Sequence, residues 1–198
     1  RRQRQMCIRD SNVFDDIEMK KDLGFFLDTD FGRRIQALVE IGELPVAELE
    51  LNRLQGRSND RFKRVILGFA IKNDLSSMQI KTAKYLFEDK APIQFLYPTP
   101  KWIEDFEFNN IDPTIALSMI RQESQFSAFA KSGKSAYGLM QILPSTARMV
   151  NKEHNFKSNP RILFDPKINV ETGTKYIESL LEIGYIEGDL LKALISYN

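Results

Sequence analysis

Cysteine and histidine are nearly missing from this sequence: its 198 residues include one of each, Cys7 and His154. A lone cysteine forms no intrachain disulfide, which excludes a disulfide-stapled secreted miniprotein and leaves composition silent between cytoplasm and periplasm. One histidine and one distant cysteine make no zinc-ligand set, so no metal site is expected. No run approaches the roughly 18 apolar residues that span a bilayer, so no integral membrane segment is expected. An excess of one charge is missing too, since 28 basic residues face 27 acidic ones for a net charge of +1. Nucleic acid normally binds a concentrated basic face, so it is not an expected partner. The small cluster Arg1, Arg2 and Arg4 reads as a solvated chain end. There is no start methionine and no apolar leader, and the chain stops at Ser196-Tyr197-Asn198 inside an amphipathic pattern. The expectation is a processed or excised piece of a longer protein.

What is present is helical periodicity, with 42% hydrophobic residues to build one large core or two small ones. Alternating, strand-like stretches are scarce, which predicts an all-α fold. In the first half, Phe31, Ile35, Leu38 and Ile41 form one stripe, closed by Gly42 as a C-terminal cap. Pro45 suits the first turn of a helix carrying Val46, Leu49 and Leu54. Asn59 or Asp60 can cap a third, with Phe62, Val65, Ile66 and Phe69 inward. Ser76 or Ser77 can cap a fourth, with Ile80, Ala83, Leu86 and Phe87. Consecutive amphipathic hairpins suggest a superhelix segment over 1–96. Proline and aromatics then crowd Ala91–Pro113, placing the start of a second domain at 97, which would run to 198.

That domain opens on a strong helix signal, Asp112-Pro113, followed by an unbroken run to Gln125. Asp165-Pro166 signals a helix with Val170, Ile177 and Leu181, and Asp189 can cap another. Between them lie a glycine-serine loop, the apolar run Tyr137–Leu143, and a helix introduced by Pro144. Glu123 projects from an apolar stripe, with Ile120 three residues back, Met119 four and Ala116 seven. A carboxylate there is costly unless paired, hydrogen-bonded or protonated. Burial raises its pKa, and the negative end of the helix macrodipole acts the same way. Both favour an acid that keeps its proton near neutrality, as general acid catalysis requires. The plain alternative is a structural glutamate whose head reaches solvent.

The residues around it closely resemble the soluble lytic transglycosylases, whose catalytic domain has a goose-type lysozyme fold. The matching elements are Glu123-Ser124, Ser132, Gly138-Leu139-Met140-Gln141-Ile142 with Pro144, and Ser196-Tyr197-Asn198. Asp165-Pro166, Asn169, Gly173 and Tyr176 extend the pattern. The resemblance implies a lysozyme-like α-helical catalytic domain after the superhelix segment, with Glu123 as acid and then base. It implies that Ser132 contacts the N-acetyl group of the reacting sugar, that Gln141 lies in the cleft, and that the Tyr197 hydroxyl holds the catalytic carboxyl. Asn198 completes the motif. Leu143 replaces the usual methionine with a near volume-conserving apolar wall. Ser135 replaces a common glycine. Core packing for Tyr197, a backbone-bonding turn for Gln141 and an ordinary loop role for Ser132 stay open beside these roles.

Glycosidases ordinarily use two carboxyl groups, and no second acid lies in the matched motifs. The resemblance implies substrate-assisted cleavage of peptidoglycan strands to a 1,6-anhydro product, with no cofactor and no metal. It also implies a periplasmic location and N-terminal helices that restrict how glycan strands reach the cleft. A hydrolase of the same fold, and a binding scaffold without catalysis, are the alternatives. Because the family continues past Asn198, the far wall of the cleft is expected to be incomplete in this chain. Other motifs fail. Gly133-Lys134-Ser135 lacks the earlier glycine and preceding strand of a phosphate loop. Asp28-x-Asp30-x-Gly32 is too short for a calcium loop. Trp102, Phe106 and Phe108 read as packing between the domains before they read as sugar platforms.

Overall fold

The structure is a computed structural model that describes residues 17–103, 106 and 108–197, with side chains from Lys20 onward. Cys7, Arg1, Arg2, Arg4 and Asn198 lie outside the described residues. The chain divides into two compact units, one running to Lys101 and the other starting at Trp102. Among the described residues there is no β-strand, only isolated bridges between Lys131 and Tyr137 and between Tyr137 and Ile142. The all-α expectation is met. No described helix is long and apolar enough to cross a membrane.

The first unit contains α1 (Ile17–Leu27), α2 (Asp30–Glu40), α3 (Leu44–Gln55), α4 (Asp60–Lys72), α5 (Ser76–Phe87) and the one-turn α6 (Ile93–Leu96). Its core gathers Phe26, Ile35, Leu51, Val65, Ile66, Phe69 and Met78. Phe26 meets Phe62 and Phe69 edge-on, with centroids 5.6 and 5.7 Å apart, the geometry that the ring quadrupoles favour. The α2 stop at Gly42 is as expected: Glu43 N–H donates to Leu38 O at 2.8 Å and Gly42 N–H to Val39 O at 3.1 Å, a Schellman pair. Asn59 caps α4 by accepting from Phe62 N–H at 2.9 Å.

Two expected faces are rotated. On α2 the buried residues are Gly32 and Ile35, while Phe31 and Ile41 are 52% and 71% exposed. The cause is the crossing with α1: a Cβ on Gly32 would lie 1.9 Å from Phe26 O. Backbone therefore touches backbone, and Phe31 is turned outward. On α3 the inward face is Ala47, Glu50, Leu51 and Gln55, with Val46 and Leu49 exposed. Glu50 is tolerated there because Arg34 of α2 donates to its carboxylate at 3.0 Å. Neither Ser76 nor Ser77 caps α5. Leu75 takes the N-cap position without a side-chain bond, and both serines are buried inside the helix. Burial of the Leu75 side chain sets that start.

The second unit contains α7 (Pro113–Glu123), α8 (Pro144–Val150), α9 (Pro166–Leu181) and α10 (Leu190–Ser196), with a 3-10 turn at Pro160–Phe164. The three aspartates expected to cap do so. Asp112 accepts from Thr114 N–H at 2.7 Å, Asp165 from Ile168 N–H at 3.0 Å, and Asp189 from Leu191 N–H at 2.9 Å. The bond from the Thr114 backbone holds the Asp112 carboxyl below its ordinary range. Helix α9 packs against α8, α10 and the 3-10 turn, and buries Asn169, Val170, Thr172, Gly173, Thr174 and Ile177. Trp102, Phe106 and Phe108 pack edge-on upon one another, at 6.2 and 4.8 Å between successive centroids.

The α1–α2 crossing gives a test. Gly32→Ala is expected to destabilise the protein by about 1–3 kcal/mol, the range for an overpacked core. Gly56→Ala, where the added Cβ would find Asn52 O 3.9 Å away, should change stability by less than about 0.5 kcal/mol. Urea midpoints of the two variants measure the contrast, and equal midpoints would remove the close-approach explanation.

Candidate active site

Glu123 is the last residue of α7 and is half-buried, while Ala116 and Ile120 on the same stripe are fully buried. Burial pushes its carboxyl above the ordinary glutamate value. A raised carboxyl is not unique to it: on α3, burial pushes Glu48 up to about 7 against the pull of Lys81. What distinguishes Glu123 is its setting, a cleft of about 350 Å³. The helix ends two residues before the expected Gln125 because Gln125 and Phe126 take φ of 52° and 64°. Positive φ is uncommon for any side chain and an outlier for one as bulky as phenylalanine. The reversal turns the chain at once into the loop that forms the opposite wall.

That loop is two consecutive turns. In the second, Tyr137 and Ile142 exchange N–H···O bonds, both at 3.0 Å, and enclose Gly138, Leu139, Met140 and Gln141. So tight a turn leaves the Met140 N–H and carbonyl without backbone partners. Asn169 takes the first, its Oδ1 accepting from Met140 N–H at 2.8 Å. Its Nδ2 donates to Tyr137 O and Leu163 O, both at 2.8 Å. Tyr197 takes the second, its hydroxyl donating to Met140 O at 3.0 Å. Gly138 has φ +76°, and a Cβ there would lie 2.2 Å from Leu163 O. Gly173, one turn after Asn169, leaves room for the Met140 sulfur, which a Cβ would approach to 2.4 Å. Asn169, Gly173 and Tyr176 are spaced for one face of α9: the first pins the turn, the second admits its side chain, and the third lines the cleft.

In the first turn, Ser135 N–H donates to Ser132 O and Ser132 N–H to Ala136 O, each at 3.0 Å. Gly133-Lys134-Ser135 is thus a three-residue hairpin loop, not a phosphate loop. Its third residue has φ +61°, the left-handed conformation such loops require. The expected departure at Ser135 falls where glycine is preferred on steric grounds.

Glu123, Ser132, Gln141, Leu143 and Tyr197 all line the cleft. Asn198 lies outside the described residues. The Ser132 Oγ accepts from Ala136 N–H at 3.0 Å, which leaves its hydroxyl proton free to be donated. Gln141 does bond backbone: its Nε2 donates to Gly138 O at 2.9 Å and Ala130 O at 3.2 Å, which presents the side-chain carbonyl to a ligand. Leu143, 40% exposed, supplies an apolar wall. The expected bond from the Tyr197 hydroxyl to the carboxyl is not formed; the unpaired Met140 carbonyl claims that proton. The two groups still couple, because burial first and the Glu123 charge second hold the phenol well above its usual range. Lys134, Ala136, Ile142, Thr146 and Tyr176 also line the cleft and were not anticipated as site residues. The spacing from Asn169 to Tyr176 was the signal for the last. Among the described residues no cluster of His, Cys, Asp and Glu could hold a metal ion.

The second unit is therefore all-α, with one half-buried acid facing an open cleft. The transglycosylase SLT domain family matches residues 101–198. Membrane-bound lytic murein transglycosylase C of Actinobacillus pleuropneumoniae is 29% identical over 170 residues, covering 74% of this chain and 45% of the relative. Membrane-bound lytic murein transglycosylase E of Buchnera aphidicola is 41% identical over 73 residues, covering 35% of this chain and 33% of the relative. The 70-kDa soluble lytic transglycosylase of Escherichia coli superposes with a TM-score of 0.73 at 21% identity, over 87% of this chain and 28% of that one. Lytic transglycosylase Slt of Pseudomonas aeruginosa gives 0.69 at 19% identity, over 90% and 29%. These structural likenesses establish the shared fold. Residues 101–198 thus form a domain of the soluble lytic transglycosylase family. The chain spans less than half the length of these relatives.

Ser135→Gly is expected to stabilise the protein by about 1 kcal/mol, the cost of holding a side chain in the left-handed region. Thermal unfolding of the variant checks this, and an unchanged or lower Tm would show that the loop is unstrained.

Proposed function

We propose that the chain acts as a lytic murein transglycosylase, cutting the β-1,4 bond between N-acetylmuramic acid and N-acetylglucosamine in peptidoglycan without consuming water. The observation that carries this reading is the cleft itself: among its described lining residues Glu123 is the sole carboxyl, and burial favours its protonated form. Two-carboxylate hydrolysis has no second group to draw on there, whereas substrate-assisted chemistry needs only one. In the division of labour we assign, 1–96 is a helical linker or superhelix region and 97–198 the transglycosylase domain.

Glu123 donates its proton to the glycosidic oxygen as the bond to C1 of the muramic acid unit breaks. The 2-acetamido carbonyl of that sugar attacks C1 and forms a cyclic oxazolinium. Ser132, with its hydroxyl proton free, orients the acetamido group. Glu123, now a carboxylate, takes the proton of the sugar's own 6-hydroxyl as O6 attacks C1. The oxazolinium reopens, the 1,6-anhydro ring closes and Glu123 is reprotonated. Gln141 and Leu143 hold the sugar against the wall, and Asn198, which completes the sequence motif, is assigned to substrate binding with them. Tyr197 acts by propping the Met140 turn and by keeping the acid's surroundings apolar. Peptidoglycan lies outside the cytoplasmic membrane, so we place the activity in the periplasm. The matched relatives are named for lytic murein transglycosylase activity. The Pseudomonas structure is of an inactive glutamate-to-glutamine mutant, the behaviour we expect of Glu123→Gln.

Glu123→Gln should lower kcat/KM on purified peptidoglycan by about 10²–10⁴-fold, the usual weight of a general acid, with helicity unchanged by circular dichroism. Full activity of this variant would refute the assignment. Products of the wild type should be one water lighter than reducing muropeptides; ordinary reducing ends would make the enzyme a hydrolase, and binding without turnover a scaffold. The acid must start protonated, so kcat/KM should fall as pH rises through the elevated Glu123 pKa. A rate that climbs through that range would reverse the role given to the carboxyl.

A further inference from the structure

Lys134 is the single cationic side chain among the described residues lining the cleft. It sits in the hairpin loop whose base residues, Ser132 and Ala136, line the same cleft and are tied by two hydrogen bonds, Ser132 N–H to Ala136 O and Ala136 N–H to Ser132 Oγ, with a third inside the loop from Ser135 N–H to Ser132 O. The lysine stem therefore starts from a fixed point. No acidic side chain among the described residues pairs with its ammonium. Two other lysines of this unit are engaged: Lys175 pairs with Glu153 at 3.3 Å and Glu171 at 2.6 Å, and Lys131 lies over the Tyr137 ring, 5.1 Å from its centroid. Nor does Lys134 neutralise the catalytic acid, since burial is the cause acting on the Glu123 carboxyl and no cation pulls it down. An ammonium beside the carboxyl would lower its pKa and remove the proton that the reaction needs. The two ionisable groups face one cleft but do not cancel, which leaves the ammonium for an anion brought by the ligand.

Resting on the transglycosylase reading, we propose that Lys134 is a specificity-determining residue that pairs with a carboxylate of the glycan strand beside the scissile bond. Two parts of the substrate carry that chemistry. One is the lactyl carboxylate of a muramic acid unit stripped of its peptide; the other is the set of carboxylates on an intact stem peptide. An ammonium on a flexible stem at a partly exposed wall adds binding and leaves the chemical step alone. Its loss therefore appears in KM and not in kcat.

The test compares wild type, Lys134→Gln, Lys134→Arg and Lys157→Gln on three preparations. These are strands with intact stems, strands stripped of peptide by an amidase, and strands whose carboxylates are all converted to methylamides. Lys157 is an exposed lysine outside the cleft, and its variant controls for the lost unit of charge. Lys134→Gln should raise KM about 3- to 5-fold, the weight of a partly exposed ion pair, on whichever carboxylate-bearing strand supplies the partner. It should leave kcat unchanged and have no effect on the methylamide strands. Lys134→Arg should restore KM, and Lys157→Gln should behave as wild type. A loss confined to stripped strands identifies the lactyl carboxylate, and one confined to stem-bearing strands identifies the peptide. An unaltered KM on both, an equal loss on methylamide strands, or an equal loss in Lys157→Gln overturns the proposal while the cleavage reading stands. Failure of the wild type to cut any preparation removes that reading and this inference together.

Discussion

The side-chain amide of Asn169 ties two points of the Tyr137–Ile142 turn to the 3-10 turn at Leu163 and to α9. It accepts from Met140 N–H and donates to the carbonyls of Tyr137 and Leu163, all at 2.8 Å, in a fully buried setting. Buried polar groups left unpaired cost about 1–3 kcal/mol each, so a turn as tight as Gly138–Gln141 persists only where an outside group satisfies it. The Tyr197 hydroxyl completes the set at Met140 O. Once the turn is pinned, Gln141 and Leu143 are carried to the cleft wall, and the base of the Lys134 loop is fixed by the Gly138 N–H bond to Ala130 O at 2.8 Å. Glu123 faces the result. Its half-burial, and hence its retained proton, depends on a wall built around one asparagine.

The backbone around this wall is unusually strained. Gln125, Phe126, Ser135 and Gln141 all have positive φ without being glycine, and all belong to the segment between α7 and α8. Such conformations cost free energy and persist only where the surroundings over-determine them. Here the reversal at Gln125 and Phe126 ends α7 at its acid, and the conformation of Gln141 lets its amide close on Gly138 and Ala130. In the first unit, Asp74 and Glu88 are also at positive φ, at the ends of α4 and α5. Strain alone therefore does not distinguish the two units; only in the second does it border a cleft with a raised carboxyl.

Local chemistry was the legible part of the sequence. Asp112, Asn59, Asp165 and Asp189 cap their helices because a short side chain reaches an N–H two or three residues away, an interaction written within a few positions. The half-burial of Glu123 at the end of α7 was legible for a similar reason, since its apolar stripe and helix-end position are both local. Ser77 was misread because a serine's capping potential yields to burial when the preceding leucine belongs to the core. The α2 and α3 faces were misphased because Gly32 packs backbone on backbone, and periodicity counts only side chains. Contacts across long stretches of chain were illegible. The Tyr197 hydroxyl reaches Met140, 57 positions away, instead of the carboxyl, and no local pattern announces that the Met140 carbonyl needs a donor. Lys134 escaped notice because a charged residue in a loop ordinarily means only solvent.

The central claim is that burial against this wall keeps the Glu123 carboxyl protonated beyond the range of an ordinary glutamate. It is tested most directly by titrating the side-chain carboxyl carbons of glutamate-labelled protein by NMR, with the Glu123 signal assigned by its disappearance in Glu123→Gln. The account predicts a midpoint above the ordinary value of 4.5. A midpoint at or below that value would mean that the carboxyl is already ionised where the reaction needs its proton, and would contradict the account.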